Sequence, residues 1–355
     1  MRYIASNCLR EGMKLARPLY RNAETMLAAG VVLHEGYIAS IQRCGFPGVY
    51  IYDDLSADLD IHTMISDELR HETAKRLSKI IDIAASESAP PSRMPDIAPQ
   101  VESIVDELFA DKNIMVNMLD LSGHDNYTCS HSINVVVLSL VLAIGLGFTH
   151  SEATALGTGA LLHDIGKVFI NKAILQKPGP LTEEEMNLVR NHPKDGFDYI
   201  SRRYSTIPMR HCSAILEHHE RYDGTGYPYG KAGTAISLHG RICAVADVYD
   251  ALVSSRPYRG AVSPCECVEY VMGGSGTLFD PKVVEVFTQR IAPYPVGTSV
   301  RLSNGWVGLV VENFISYSLR PKLRIYMQEG KPVAPFEISL KDDFTYLSVT
   351  ITGMA

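Results

Sequence analysis

Five histidines and two aspartates carry the conspicuous chemistry of this sequence: His131, the pair His163-Asp164, His192 before Pro193, the doublet His218-His219, and Asp247. A single histidine beside apolar residues is usually a satisfied core or surface side chain, so none of these decides anything alone. The set does. Imidazoles and carboxylates without a thiolate suit iron or manganese, and zinc less decisively, and this many ligands exceeds the need of one ion. His163-Asp164 closes the apolar run Ala160-Leu161-Leu162, where an ionised carboxylate is costly unless a cation faces it. Neighbours on a helix diverge by about 100°, so the two side chains cannot aim at one point without a bend. A carboxylate has two oxygens, however, and Asp164 can bridge two metals while His163 binds one.

Two divalent cations bring +4, and Asp164 with Asp247 return −2, leaving a local excess of about +2 before any bridging hydroxide. A phosphodiester anion fits such a site. Coordination lowers the pKa of a bridging water towards neutrality, and the hydroxide can attack phosphorus in line without a Ser or Cys nucleophile. Lys167 follows His163 by one helical turn; it either sets an ammonium beside the phosphate or ends a helix after Gly166. Asp250 lies on the helical face of Asp247, where it orients a ligand or accepts a proton, unless it is a plain surface carboxylate.

The elements that must position these residues are helical. From about 100 to 290 apolar residues recur at three- and four-residue spacing, and Thr149 with Glu152 and Thr182 with Glu185 fit capping boxes, so helices should begin near 150 and 183. The apolar stretch 133–148 is interrupted by Asn134, Ser139, Gly145 and Gly147 and falls short of the roughly 20 residues a bilayer needs. It reads as a buried core helix. Residues 1–60 hold β-like runs at 31–33 and 49–52 around a helix-like segment, 37–44, that stops at Gly45, a small α+β module. Asp53 and Asp54 in it read as a solvated turn. Residues 62–85 form a charged helix, and Pro90, Pro91 and Pro95 then break regular structure, giving a helix and linker over 61–97. The catalytic domain is expected over 98–293. After Pro293 and Pro295 come alternating runs at 299–302, 307–311 and 323–327 with turns at Asn304-Gly305 and Glu329-Gly330, a β appendage over 294–355. The fold class expected is mainly α, with the two small modules at the ends.

The 355 residues are 46% hydrophobic and 21% charged, which excludes a disordered or fibrous chain and suggests two or three domains. With 33 Lys+Arg against 40 Asp+Glu and a net charge of −7, a bulk-charge grip on nucleic acid is not expected, and an anionic ligand must be held locally. The seven cysteines contain no C-x-x-C pair and read as reduced thiols. Charges at Arg2, Arg10, Glu11, Lys14 and Arg17 leave no apolar signal core in the first twenty residues, so a cytoplasmic protein is expected.

His131, then His163-Asp164-Ile165-Gly166-Lys167, then Asp247 resemble the H…HD…D signature of the HD phosphohydrolase superfamily. Asp223-Gly224-Thr225-Gly226-Tyr227-Pro228, after His218-His219-Glu220, narrows the resemblance to its HD-GYP branch. The resemblance implies a helical fold around a two- or three-metal centre and hydrolysis of cyclic di-GMP, or of the related cyclic GMP-AMP. It puts one metal on His131, His163, Asp164 and Asp247 and the second on Asp164, His192, His218 and His219. It gives Lys167, Arg256 and Arg259 the role of phosphate contacts, and the GYP loop a structural role with contact to a protein partner. Three-metal members carry a Glu four residues before the first His, where this chain has Tyr127, so two metals are expected. The alternatives at this point are a non-catalytic cyclic-dinucleotide receptor and another HD-type nucleotide phosphohydrolase.

Overall fold

The computed structural model describes residues 1–21, 24–46, 48–59, 61, 63–86, 96–111, 114–117, 127–203, 207–254 and 264–355. The chain divides into two compact units, one built, among the described residues, from Met1–Thr63, Asn117 and Ile291–Ala355, the other from Met64–Val116 and Tyr127–Arg290.

The first unit joins both ends of the chain. Its N-terminal part has strands β1 (Arg2–Ala5), β2 (Lys14–Leu15), β3 (Leu19–Arg21) and β4 (Glu24–Leu27), helix α1 (Glu35–Arg43), and strand β5 (Gly48–Tyr52). Strands β1, β5 and β2 form an antiparallel sheet in that order. The run 31–33 is not a strand: Leu33 is buried, Val32 is exposed and makes only an isolated bridge to Lys14. His34 begins the capping of α1 immediately afterwards, its Nδ1 accepting from the Gly36 amide at 3.1 Å, and this leaves the run too short to extend a ladder. The helix ends before Gly45, whose φ of +80° is the left-handed exit that glycine adopts without strain.

The C-terminal part is a five-stranded antiparallel sheet of β6 (Ser299–Leu302), β7 (Val307–Glu312), β8 (Lys322–Gln328), β9 (Lys331–Ser339) and β10 (Ile351–Met354), in the order β9-β8-β7-β6-β10. Glu329 and Gly330 both have positive φ, the conformation a two-residue hairpin needs between right-twisted strands. Val300, Val310, Leu323, Ile325 and Leu340 fill its core. The two ends of the chain are pinned together: the Tyr3 amide donates to Gly297 O at 2.8 Å, and Arg324 forks onto the Asp58 carboxylate at 2.6 and 2.7 Å.

The second unit is helical. Its helices are α2 (Asp67–Ala85), α3 (Ala98–Phe109), α4 (Tyr127–Gly145), α5 (His150–Leu161), the short α6 (Lys172–Leu175), α7 (Glu183–Arg190), α8 (His192–Arg203), the short α9 (Ser213–Glu217), α10 (Leu238–Val253), α11 (Pro264–Gly273) and α12 (Pro281–Arg290). Both capping boxes form, at Thr149 with Glu152 and at Thr182 with Glu185. Residues 133–143 of α4 are all buried, which makes it the central helix, packed against α5, α10 and α12. No helix among the described residues is long and apolar enough to cross a membrane. The prolines expected to break the chain, Pro90, Pro91 and Pro95, lie outside the described residues.

Candidate metal centre

Five elements converge on one buried point. Central helix α4 carries His131 near its N-terminal end; α8 begins with His192; His218 and His219 follow the last turn of α9; and α10 carries Asp247 and Asp250. Helix α5 stops at Leu161 and a tight 3-10 turn follows over Ile165–Phe169, so His163 and Asp164 sit in the turn rather than on the helix. Departure from helical geometry removes the angular conflict expected for adjacent helical side chains. Gly166 makes the convergence possible: a Cβ there would lie 2.0 Å from His192 O and 2.7 Å from Gly196 N, so only glycine lets this turn touch the start of α8.

Asp164 stands between two sets of histidines. Its Oδ1 lies 3.3 Å from His192 Nε2 and 3.9 Å from His218 Nε2; its Oδ2 lies 3.8 Å from His131 Nε2 and 3.5 Å from His163 Nε2. Asp247 Oδ1 is 3.2 Å from His131 Nε2 and 3.9 Å from His163 Nε2, and its Oδ2 is 4.0 Å from His219 Nδ1. Among the described residues, two groups therefore offer ligand atoms close enough to hold an ion: Asp164, His192, His218 and His219, and His131, His163 and Asp164.

The rings are aimed from behind. Nδ1 of His163 faces Ala160 O at 2.8 Å, that of His192 faces Val189 O at 2.7 Å, that of His218 faces Ile215 O at 2.9 Å, and that of His131 faces Asp250 Oδ2 at 2.7 Å. An acceptor at Nδ1 holds the proton on that nitrogen, which in His163, His192 and His218 leaves Nε2 as the lone pair pointing inward; the His131 ring, set between Asp247 and Asp250, gives up its Nε2 proton only to a cation.

Electrostatics sharpen this arrangement. Burial opposes ionisation of Asp164, yet the Lys167 ammonium and His163 carry its pKa well below the ordinary carboxylate value. Burial likewise opposes ionisation of Asp247, and the His131 hydrogen bond outweighs it. Burial pushes His218 well down and His219 down to about 3, so both are neutral at ordinary pH. For His131 burial works against the imidazolium, but Asp247 and Asp250 outweigh it and raise the pKa to about 10. Two buried atoms are left over: His163 Nε2 and Asp164 Oδ1 have no hydrogen-bond partner among the described residues. Inward lone pairs, two carboxylates and orphaned polar atoms at their meeting point fit divalent cations, which would satisfy them.

Lys167 Nζ lies 2.6 Å from Asp164 Oδ2, and Asp250 is fully buried rather than a surface carboxylate. Arg256 and Arg259 lie outside the described residues, as does the side chain of Tyr127. The 223–231 loop folds back on the centre. Asp223 Oδ1 accepts from the Thr225 amide at 2.9 Å, and the Glu220 carboxylate accepts from the Tyr229 and Lys231 amides at 2.8 and 3.0 Å. Tyr227 stacks on His219 with centroids 4.7 Å apart. Gly226 is sterically required, since a Cβ would meet Arg221 N at 2.3 Å. The Lys177-Pro178-Gly179-Pro180 segment joins α6 to α7, with Lys177 paired to Glu185 at 2.6 Å.

Asn134 and Arg70 also touch the centre's scaffold, and sequence reasoning did not assign them to it. Asn134 follows His131 by three residues on the same face of α4, a spacing that would have marked it; nothing local marks Arg70.

Residues 107–283 match the family model described as HD domain. The chain is 38% identical over 236 residues to a cyclic di-GMP phosphodiesterase of Pseudomonas aeruginosa, covering 65% of this chain and 56% of that protein. It is 40% identical over 173 residues to a cyclic di-GMP phosphodiesterase of Thermotoga maritima, covering 49% and 47% respectively. A 3'3'-cGAMP-specific phosphodiesterase of Vibrio cholerae is 39% identical over 163 residues, covering 45% and 36%. The chain thus spans from about a third to just over half the length of these relatives.

Proposed function

This chain belongs to the HD-GYP family of the HD phosphohydrolase superfamily, and from that premise we propose that it is a metal-dependent phosphodiesterase that hydrolyses a cyclic dinucleotide, cyclic di-GMP first among them. The observation that carries the reading is the placing of Asp164, with one oxygen towards His192 and His218 and the other towards His131 and His163. We assign His131, His163, Asp164 and Asp247 to one divalent ion and Asp164, His192, His218 and His219 to a second, with iron or manganese favoured by the thiolate-free ligand set. When bound, such ions supply Lewis acidity towards a phosphodiester and acidify water.

The chain's own residues do the rest. Asp164 and Asp247, kept ionised, balance part of the ions' charge, and the neutral His218 and His219 offer lone pairs without adding positive charge. Lys167, held on the rim by Asp164 with about a third of its side chain exposed, is placed to meet a phosphoryl oxygen. Arg256 and Arg259 belong to the same role by the family pattern. The Tyr227 ring covers His219 and limits water access to that side of the centre. Relatives of both cyclic di-GMP and cyclic GMP-AMP specificity keep both substrates in the test. Protein loaded anaerobically with iron or manganese should hydrolyse at least one of them, with products followed by chromatography; binding without turnover would favour a receptor, and turnover of mononucleotides alone another HD hydrolase.

A further inference from the structure

Behind His131 a buried polar chain runs out of the centre and into helix α2. His131 Nδ1 meets Asp250 Oδ2 at 2.7 Å; Asn134 Nδ2 donates to Asp250 Oδ1 at 2.9 Å; Arg70 Nη1 donates to Asn134 Oδ1 at 2.9 Å. Asp250 is fully buried, Asn134 is 2% exposed and His131 6%, so the two contacts of Asp250 are made away from water and are costly to lose, while Arg70 reaches Asn134 from a half-buried position. The link that sets direction is the amide. A carboxamide can sit in two orientations related by a half-turn, and Asp250, an acceptor, requires the NH2 end. Arg70, which has only donors, requires the oxygen end at the opposite side. Together they allow one orientation. That orientation fixes the Asp250 carboxylate, which in turn holds the His131 ring with Nε2 facing Asp164 and Asp247 at 3.8 and 3.2 Å.

We propose that Arg70 is a positioning residue for the metal centre, acting through Asn134 and Asp250 on the aim of His131, so that helix α2, which precedes the HD-domain match at 107–283, is a working part of the site. The inference rests on His131 being a metal ligand. Removal of the guanidinium takes this donor from the buried Asn134 oxygen and loosens the amide's hold on Asp250; the carboxylate shifts, and the imidazole loses part of what holds its plane. Partners that orient a ligand in this way typically change metal affinity or activity by about 10- to 100-fold, and Arg70 stands two bonds further out, so the lower end is expected.

The test is calorimetric titration of the full metal-free chain with Mn2+, with steady-state kinetics on cyclic di-GMP beside it. Arg70→Met should weaken one of the binding steps about 10-fold and lower kcat while KM stays within about 3-fold. Arg70→Lys, which keeps a donor for Asn134, should restore most of both. Arg76→Met removes a cation of the same helix that only caps Asp96 O at 3.1 Å, and it should bind Mn2+ as the parent does. Arg70→Gln, neutral and too short to reach, serves if the methionine variant does not fold by circular dichroism, and it should show the same loss. Equal Mn2+ affinity in Arg70→Met, Arg70→Gln and the parent overturns the role of Arg70, as does failure of Arg70→Lys to rescue. A parent chain that binds no Mn2+ overturns instead the metal reading beneath it.

Discussion

Lys167→Met separates metal binding from phosphate handling, because the two should move in opposite directions. The ammonium sits 2.6 Å from Asp164 Oδ2, the oxygen that also faces His131 and His163, so it competes with a cation for the same carboxylate. At an effective dielectric of about 20 that contact is worth about 6 kcal/mol. Much of this is offset by solvation, since over a third of the lysine is exposed, and a net of about 1.5 kcal/mol is reasonable for a hydrogen bond between charged groups. A methionine in its place should therefore tighten Mn2+ binding about 10-fold. Turnover should fall about 100-fold, the effect of removing one donor from a developing anion. Calorimetry of the metal-free variant gives the first quantity and single-turnover kinetics at saturating metal the second. If Lys167→Met bound Mn2+ more weakly than the parent and lost turnover in proportion, the lysine would be a prop for the site rather than a contact for the phosphate.

Asp164→Asn keeps the shape but takes the charge from both histidine sets, and it should lose both Mn2+ binding steps by more than about 100-fold; full metal content in this variant would contradict the bridging assignment. Gly166→Ala, whose Cβ would meet His192 O at 2.0 Å, should destabilise the protein by about 1–3 kcal/mol and weaken the step that uses His192, so an unchanged unfolding midpoint and unchanged Mn2+ isotherm would count against the close approach. In the other unit, the Arg324 hydrogen bond lowers the Asp58 pKa from 3.8 to about 2. A lowered carboxylate stabilises fully above its unfolded pKa and loses that contribution as pH falls through the folded value, so the window here is pH 3.8 to 2. Asp58→Asn should cost under about 1 kcal/mol at pH 7, because the pair is well solvated, with the deficit shrinking through this window and gone below it; an undiminished deficit below pH 2 would refute the ion-pair origin.

The cluster of histidines and aspartates was legible in sequence because its chemistry is carried by residue type: five histidines and two aspartates remain visible whatever lies between them. The helix starts at Thr149 and Thr182 were legible because capping is local, hydroxyl and carboxylate three residues apart. What escaped the sequence depends on contacts between distant segments. The run 31–33 has strand composition but its fate was decided by the cap at His34. The pairing of β1 with β5, and the meeting of the chain's two ends through Tyr3 with Gly297 and Asp58 with Arg324, have no local signal. Gly166 reads as part of a motif, while its reason, the carbonyl of His192, lies 26 residues on. Asn134 looked like an interruption of an apolar helix, although its amide is turned towards Asp250.

The most direct test of the account is chromatography of cyclic di-GMP and cyclic GMP-AMP incubated with anaerobically purified protein of measured iron and manganese content. The account predicts two metal ions per chain and conversion of cyclic di-GMP to a linear dinucleotide or GMP, abolished in Asp164→Asn. Both cyclic dinucleotides intact after incubation with fully metallated protein would contradict it.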